Sequence, residues 1–212
     1  MSFLRRVLRA LLLAFFRVKL RFRVCGLENV PKTGPLLVVS NHLSNADPPL
    51  LGASLERPAI FMAKQELFRP PLFGYVLKRV GGFPVNRGRT NLEAVRAAYR
   101  LLGAGNALVI FPEGSRSRTG GLQVAFRGAA QIAVRTQVPV LPVAISGTEV
   151  LGRLSGWLGR PRVTINFGCP FYLPHANGRL SREELDRLTD EIMSGIAGLL
   201  PEAYRGEYGH RD

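Results

Sequence analysis

Cysteine is scarce in this chain of 212 residues. Its two copies, Cys25 and Cys169, lie far apart with no Cys-x-x-Cys, which excludes a disulfide framework and a thiolate zinc site. That usage is compatible with a reducing compartment. Long apolar runs are missing too. The uninterrupted run Ala10–Phe16 is seven residues, far short of the ~20 that a membrane-spanning helix needs. The basic stretch RVKLRFRV follows it where a cleaved signal peptide would carry small residues. Repeats, linkers and low-complexity tracts are absent, and with 46% hydrophobic residues the chain reads as one folded domain with an appended element. Acidic residues are few, 15 against 29 basic, for a net charge of +14. That balance disfavours cationic ligands and leaves nucleic acid, an anionic membrane surface or phosphorylated substrates. Aromatic-basic interleaving and recognised nucleic-acid motifs are also lacking, which argues against nucleic acid.

The charge is unevenly placed. Residues 1–27 hold seven basic residues and no acid, residues 28–180 carry +11, and residues 181–212 carry −4. Twenty-five of the basic residues are Arg, which a GC-rich genome also favours, so placement says more than the total. At 100° per residue, Phe3, Leu4, Val7, Leu8, Leu11, Phe15 and Val18 share one side of a helix. Arg5, Arg6, Arg9 and Arg17 share the other, where Leu13 and Phe16 intrude. Such a helix suits a membrane interface, with Arg5, Arg6, Arg9, Leu11, Leu12, Phe15, Phe16 and Arg17 as its contact residues. An ordinary surface helix packed on the domain is the alternative. Residues 1–23 are therefore expected to form a membrane-association segment and residues 24–212 the folded domain.

Downstream, short apolar runs alternate with helical patterns. Strands are expected at Lys19–Val24, Pro35–Ser40, Ala59–Ala63, Phe83–Asn86, Ala107–Phe111 and Arg162–Phe167. Helices are expected at Pro49–Leu55, Leu72–Val80, Thr90–Gly103, Val124–Thr136 and from Ser181 to about Leu200; Thr90/Glu93 and Ser181/Glu184 have capping-box spacing. Val138–Ile145 is β-rich, but its two prolines suggest an edge or irregular position. The order implies an α/β domain with a central, mostly buried mixed sheet flanked by helices.

Chemistry concentrates in four places. His42 follows the strand PLLVVS, with Asp47 five residues on. A carboxylate curling back to one imidazole nitrogen leaves the other as a general base. A structural His capping a helix is the alternative. No serine sits in a G-x-S-x-G elbow, which favours direct activation of a substrate hydroxyl; Ser44, near His42, remains open as a nucleophile. Phe111-Pro112-Glu113-Gly114-Ser115-Arg116-Ser117 supplies a carboxylate, a glycine, hydroxyls and an Arg whose fork suits a phosphate. A polar turn needs such residues in any case. Gly81-Gly82-Phe83-Pro84-Val85-Asn86-Arg87 delivers a second Arg, and Val138-Pro139-Val140-Leu141-Pro142-Val143 is apolar, lining a greasy channel or simply core.

In this order the four blocks closely resemble the signature blocks of the glycerolipid acyltransferase family, typified by 1-acylglycerol-3-phosphate acyltransferases. The resemblance runs from about Val24 to Ser146; Asn86 stands where many members carry Asp, and Ser115 where Thr is commoner. It implies that His42, oriented by Asp47, deprotonates a lysophospholipid hydroxyl, which attacks an acyl thioester of coenzyme A or acyl carrier protein without an acyl-enzyme. Arg87, Glu113, Gly114, Ser115 and Arg116 would hold the acceptor phosphate, and Pro139 and Pro142 would shape the acyl path. No bound cofactor or metal is implied. The expected partners are a lysophospholipid, an acyl thioester, an anionic membrane surface and acyl carrier protein, with no nucleic acid. The expected location is the cytoplasmic face of the cell membrane, as a peripheral or monotopic protein. The expected product is phosphatidate. Another acceptor, such as a lyso-ornithine lipid, and a non-catalytic basic membrane-binding protein are the alternatives.

Overall fold

Five consecutive buried residues, Leu36–Ser40, form strand β2, whose side chains are covered on both faces. Both neighbours of β2 run parallel to it: β5 (Ala107–Ile110) and β6 (Val140–Ser146). In the computed structural model, which describes residues 3–71, 74–75, 81–85, 92–175, 178 and 180–209, seven strands form one sheet in the order β1-β7-β6-β2-β5-β3-β4. The others are β1 (Arg21–Cys25), β3 (Ala59–Lys64), β4 (Gly82–Val85) and β7 (Arg162–Phe167). All pairs are parallel except β6 with β7, so the sheet is mixed, as expected.

Helices cover both faces. On one, α3 (Leu92–Gly103), α4 (Gly128–Thr136) and α5 (Arg182–Ala197) pack over Leu37, Val39, Leu108 and Val140. On the other, α1 (Phe3–Lys19) and α2 (Asp47–Ser54) cover Leu36, Val38, Val109 and Ile165. The Ser181/Glu184 capping box of α5 forms with both bonds present. The helix expected at Leu72–Val80 lies mostly outside the described residues, as do Asn86 and the Thr90 cap.

Two expectations change. β6 lies inside the sheet, not at an edge. Pro142 accepts from the Gly168 N–H at 2.9 Å, so its edge without an N–H faces the β7 side just where β7 has ended at Phe167. The helix expected from Val124 begins only at Gly128. The preceding N–H groups are committed elsewhere: Gln123 donates to Glu113 Oε2 and Phe126 to the Pro112 carbonyl.

The N-terminal helix also docks differently from the expected arrangement. Phe16, an intruder on the basic side of the wheel, is 3% exposed in the core, with Leu12 and Leu13 packed beside it. Arg9 donates from Nε to the Ala53 carbonyl at 2.9 Å, satisfying a group in the last turn of α2. Leu12, Phe16 and Arg9 therefore serve the domain rather than an external surface. The stripe left outward is Val7, Leu11 and Val18, the last two 62% and 68% exposed, with Arg6 and Arg17 also exposed. Phe15 stands between the faces, its ring 5.8 Å from Trp157. Among the described residues no helix is long and apolar enough to cross a membrane.

Candidate active site

β2 ends at the carboxyl end of the parallel strands, where the chain must turn, and Asn41 fixes that turn. Its side chain donates to the Ile145 carbonyl at 2.8 Å and accepts from the Ile145 N–H at 2.7 Å, extending the β2–β6 ladder by a side chain. The chain then folds around Asp47, which opens α2 ahead of Pro48 and Pro49, residues suited to a first helical turn.

Asp47 is fully buried and fully satisfied. Its Oδ2 accepts from the Leu43 N–H at 2.6 Å and the Ser44 N–H at 2.7 Å, and lies 2.8 Å from His42 Nδ1. Its Oδ1 accepts from the Thr148 hydroxyl at 2.6 Å. A carboxylate surrounded by donors acts as acceptor only, so Nδ1 carries the hydrogen it shares with Asp47, and in the neutral imidazole Nε2 is the nitrogen left with a lone pair. The imidazole is further fixed by Phe111, stacked at a centroid distance of 4.3 Å. This is the arrangement a general base requires: one nitrogen anchored and the other available.

The FPEGSRS turn after β5 supports His42 through its backbone. The His42 N–H donates to Glu113 Oε1 at 2.9 Å, and the His42 carbonyl accepts from the Ser117 N–H at 2.7 Å. Glu113 Oε2 accepts from the backbone and side chain of Gln123 at 3.1 and 3.3 Å. Burial raises the Glu113 pKa, and these donors partly oppose the shift. Both oxygens are occupied, and an anionic group would be repelled. Glu113 is therefore removed from the expected phosphate ligands; it clamps the His42 turn to the segment before α4. Ser117 is likewise spent inside its own turn, donating to the Gly121 carbonyl at 2.7 Å and accepting from the Gly120 N–H at 3.1 Å.

Gly114 has φ 67, and a Cβ there would come within 2.6 Å of the Phe126 ring, so only glycine fits. Ser115 and Arg116 beyond it are exposed, and among the described residues Arg116 makes no hydrogen bond or ion pair. A cleft of about 330 Å³ joins Arg116 to Ser44, Asn45, Ala46 and Pro49, the residues after His42, and to Phe16, Leu151, Gly152 and Trp157. It thus sets one free cation and an apolar wall beside the imidazole turn. Ser44 is buried, its Oγ accepts from the Ala46 N–H at 3.3 Å, and the side-chain partner of the His42 imidazole is Asp47 rather than Ser44.

The other two blocks sit elsewhere. Arg87 lies outside the described residues, and β4, which leads to it, is the third strand from β2, roughly 14 Å across the sheet. Pro139 stands at the start of β6, its carbonyl accepting from Leu37 at 3.0 Å, at the opposite end of the strands from His42. Pro142 points at Gly168 and Gly195, on the α5 face. Neither proline borders this cleft: proline spacing reveals a strand but not which face its rings occupy. Sequence reasoning missed Thr148, Gln123, Leu151 and Trp157. They belong to no block and come to the site only through chain folding. Among the described residues, His, Cys, Asp and Glu nowhere gather in groups that could hold a metal ion.

Comparison with known proteins fits this geometry. The acyltransferase family model matches residues 21–146. A 1-acyl-sn-glycerol-3-phosphate acyltransferase of Borreliella burgdorferi is 33% identical over 59% of this chain and 51% of its own length. A lyso-ornithine lipid O-acyltransferase of Brucella abortus is 37% identical over 78% of this chain and 64% of its own. The crystal structure of the 1-acyl-sn-glycerophosphate acyltransferase PlsC from Thermotoga maritima superposes with a TM-score of 0.72 at 30% identity, covering 92% of this chain and 78% of that one. The chain spans about half the length of the curated relatives it matches. The matched region contains the His42–Asp47 turn and the FPEGSRS turn that clasps it, and the chain belongs to the acyltransferase family.

Proposed function

We propose that the protein transfers an acyl chain from a coenzyme A or carrier-protein thioester to the free hydroxyl of 1-acylglycerol 3-phosphate, giving phosphatidate. The reading rests on the His42–Asp47 pair beside a cleft that offers Arg116 and apolar walls. His42 Nε2 takes the proton of the acceptor hydroxyl as its oxygen attacks the thioester carbonyl. Asp47 stabilises the imidazolium. The tetrahedral intermediate collapses by expelling the thiolate, which receives that proton, so no acyl-enzyme forms. Arg116 holds the acceptor phosphate as a charge-assisted ligand. The outward stripe of α1, with Arg6 and Arg17 beside it, rests on the anionic inner leaflet, where each basic residue contributes about 1 kcal/mol.

A second acceptor has its own support. The Brucella abortus relative, 37% identical over 78% of this chain, is named for a lyso-ornithine lipid. A panel of lysolipid acceptors with one labelled acyl thioester, read by lipid chromatography, separates the two. Lysophosphatidate should be preferred, His42→Ala should lose roughly 10²–10⁴ in rate, and Arg116→Ala should raise KM for the phosphorylated acceptor about tenfold or more. Preference for lyso-ornithine lipid transfers the assignment to that acceptor. Full activity of His42→Ala refutes the mechanism.

A further inference from the structure

Leu154 and Leu158 are the most exposed large apolar side chains among the described residues, at 86% and 81%. They flank Trp157 in the segment after β6, which runs through two short 3₁₀ turns, Glu149–Gly152 and Leu154–Trp157. Single exposed leucines need no explanation, but two beside an aromatic on a fixed element do. The segment is held from several sides. Leu151 is buried in the core shared with Phe16, and Trp157 Nε1 donates to its carbonyl at 3.1 Å. Arg160 donates to the Arg17 carbonyl at 3.3 Å, and the Arg21 N–H donates to Pro161 at 2.9 Å. The Phe15–Trp157 contact joins it to α1 beside the helix's outward stripe. The charge around it is mainly of one sign: residues 150–182 contain no acid, nor do residues 1–27, and Arg153, Arg160 and Arg162 are exposed beside the leucines, while Glu149 at the start of the first turn accepts from the Tyr204 hydroxyl.

We propose that the loop Val150–Arg162 is a second bilayer-contacting element, which inserts Leu154 and Leu158 into the same anionic leaflet that α1 rests on. The inference depends on the membrane reading of α1 given above and extends it. Apolar tips within a mainly basic surround fit a lipid interface, where leucine enters the acyl boundary and arginine meets head groups. The cleft gains a direction from this. Its walls include Phe16 of α1 and Leu151, Gly152 and Trp157 of the loop, and it reaches Ser44 and Arg116. A lysolipid leaving the leaflet between the two elements meets apolar side chains along its chain and a cation at its head group.

Trp157 is the sole tryptophan of the chain, so its fluorescence reports on the loop directly. The full-length protein would be titrated with phosphatidylglycerol/phosphatidylcholine vesicles containing brominated lipid, beside a Leu154→Ser/Leu158→Ser variant. Tyr172→Ser serves as control; it is exposed next to Phe171, which pairs with Val140 at the start of β6, the end of the strands opposite His42. The expected results are quenching of Trp157 and roughly tenfold or more weaker partitioning of the double variant, with Tyr172→Ser unchanged. An unchanged melting temperature and retained transfer to detergent-dispersed acceptor would show that the variant's fold and chemistry survive. If the wild type binds vesicles but Trp157 is not quenched and the double variant binds equally well, the loop proposal falls and α1 alone carries docking. If the wild type binds no anionic vesicles, the membrane reading itself falls. Self-association, or carrier-protein binding without vesicle binding, abolished by the two serines would overturn the lipid assignment in favour of a second copy or that protein.

Discussion

In the turn that carries His42, each buried polar atom has a partner, whereas on the rim from α1 to Leu158 large apolar side chains stand in solvent. The two regions solve different problems. The turn fixes one imidazole nitrogen, and Asp47, Asn41 and Glu113 around it are buried and each is paired to backbone. Among the described residues, the rim leaves apolar surface and the cations Arg153 and Arg162 without side-chain partners, a pattern of surfaces completed by something outside the chain. Two sides of one helix show the contrast most directly: Phe16 belongs to the core, and Leu11 and Val18 do not.

That contrast can be broken by substitution. Phe16→Ala should have the largest effect on folding, about 3–5 kcal/mol in urea unfolding, because it empties a packed site shared with Leu20 and Leu51. For the same reason, deleting residues 1–17 is a poor test of membrane docking: it removes Phe16 with the outward stripe. Thr148→Val should cost roughly 1–3 kcal/mol, since it strips the single donor from a buried carboxylate oxygen. It should also lower kcat more than it changes the acceptor's KM, and Thr148→Ser should restore most of the loss. Equal effects on kcat in the Val and Ser variants would deny Thr148 a positioning role.

Leu11→Ser/Val18→Ser should leave unfolding close to wild type while weakening vesicle binding about tenfold, the reverse of the Phe16 result. A large loss of stability there would erase the distinction between the two faces. The smallest effect concerns Glu113. Its pKa is raised in the folded protein, so the ionised form opposes folding above the folded pKa. This group's contribution becomes more favourable as pH falls through that pKa toward its ordinary value. Urea unfolding across this window should show wild type gaining stability relative to Glu113→Gln as pH falls. A parallel pair of curves would mean that the proton does not bind more tightly in the folded state.

Much of this was legible in the sequence where the signal is local. The strand at Arg162–Phe167, the capping box of α5 and the turn between His42 and Asp47 involve residues within a few positions of one another, and each forms as expected. Expectations missed where one residue type serves several settings. Proline at position 142 reads as an edge signal, yet it fits inside the sheet because β7 stops opposite it. Glu113 reads as a ligand for a polar substrate, yet its partners are the backbones of His42 and Gln123. A helical wheel shows that Phe16 and Leu11 lie on different faces of α1 but cannot say which face the domain takes.

By itself, then, the sequence determined the α/β class, the pairing of His42 with Asp47, and the family to which these blocks point. Those rest on periodicity and short spacing, which a chain expresses before it has any tertiary neighbours. Only the tertiary structure decided which face of α1 is buried, that Thr148 completes the shell of Asp47 from 101 residues away, and that Leu154 and Leu158 are presented beside α1. These depend on which elements the sheet order brings together, and burial, the quantity that separates a core residue from a docking residue, exists only once the chain has folded.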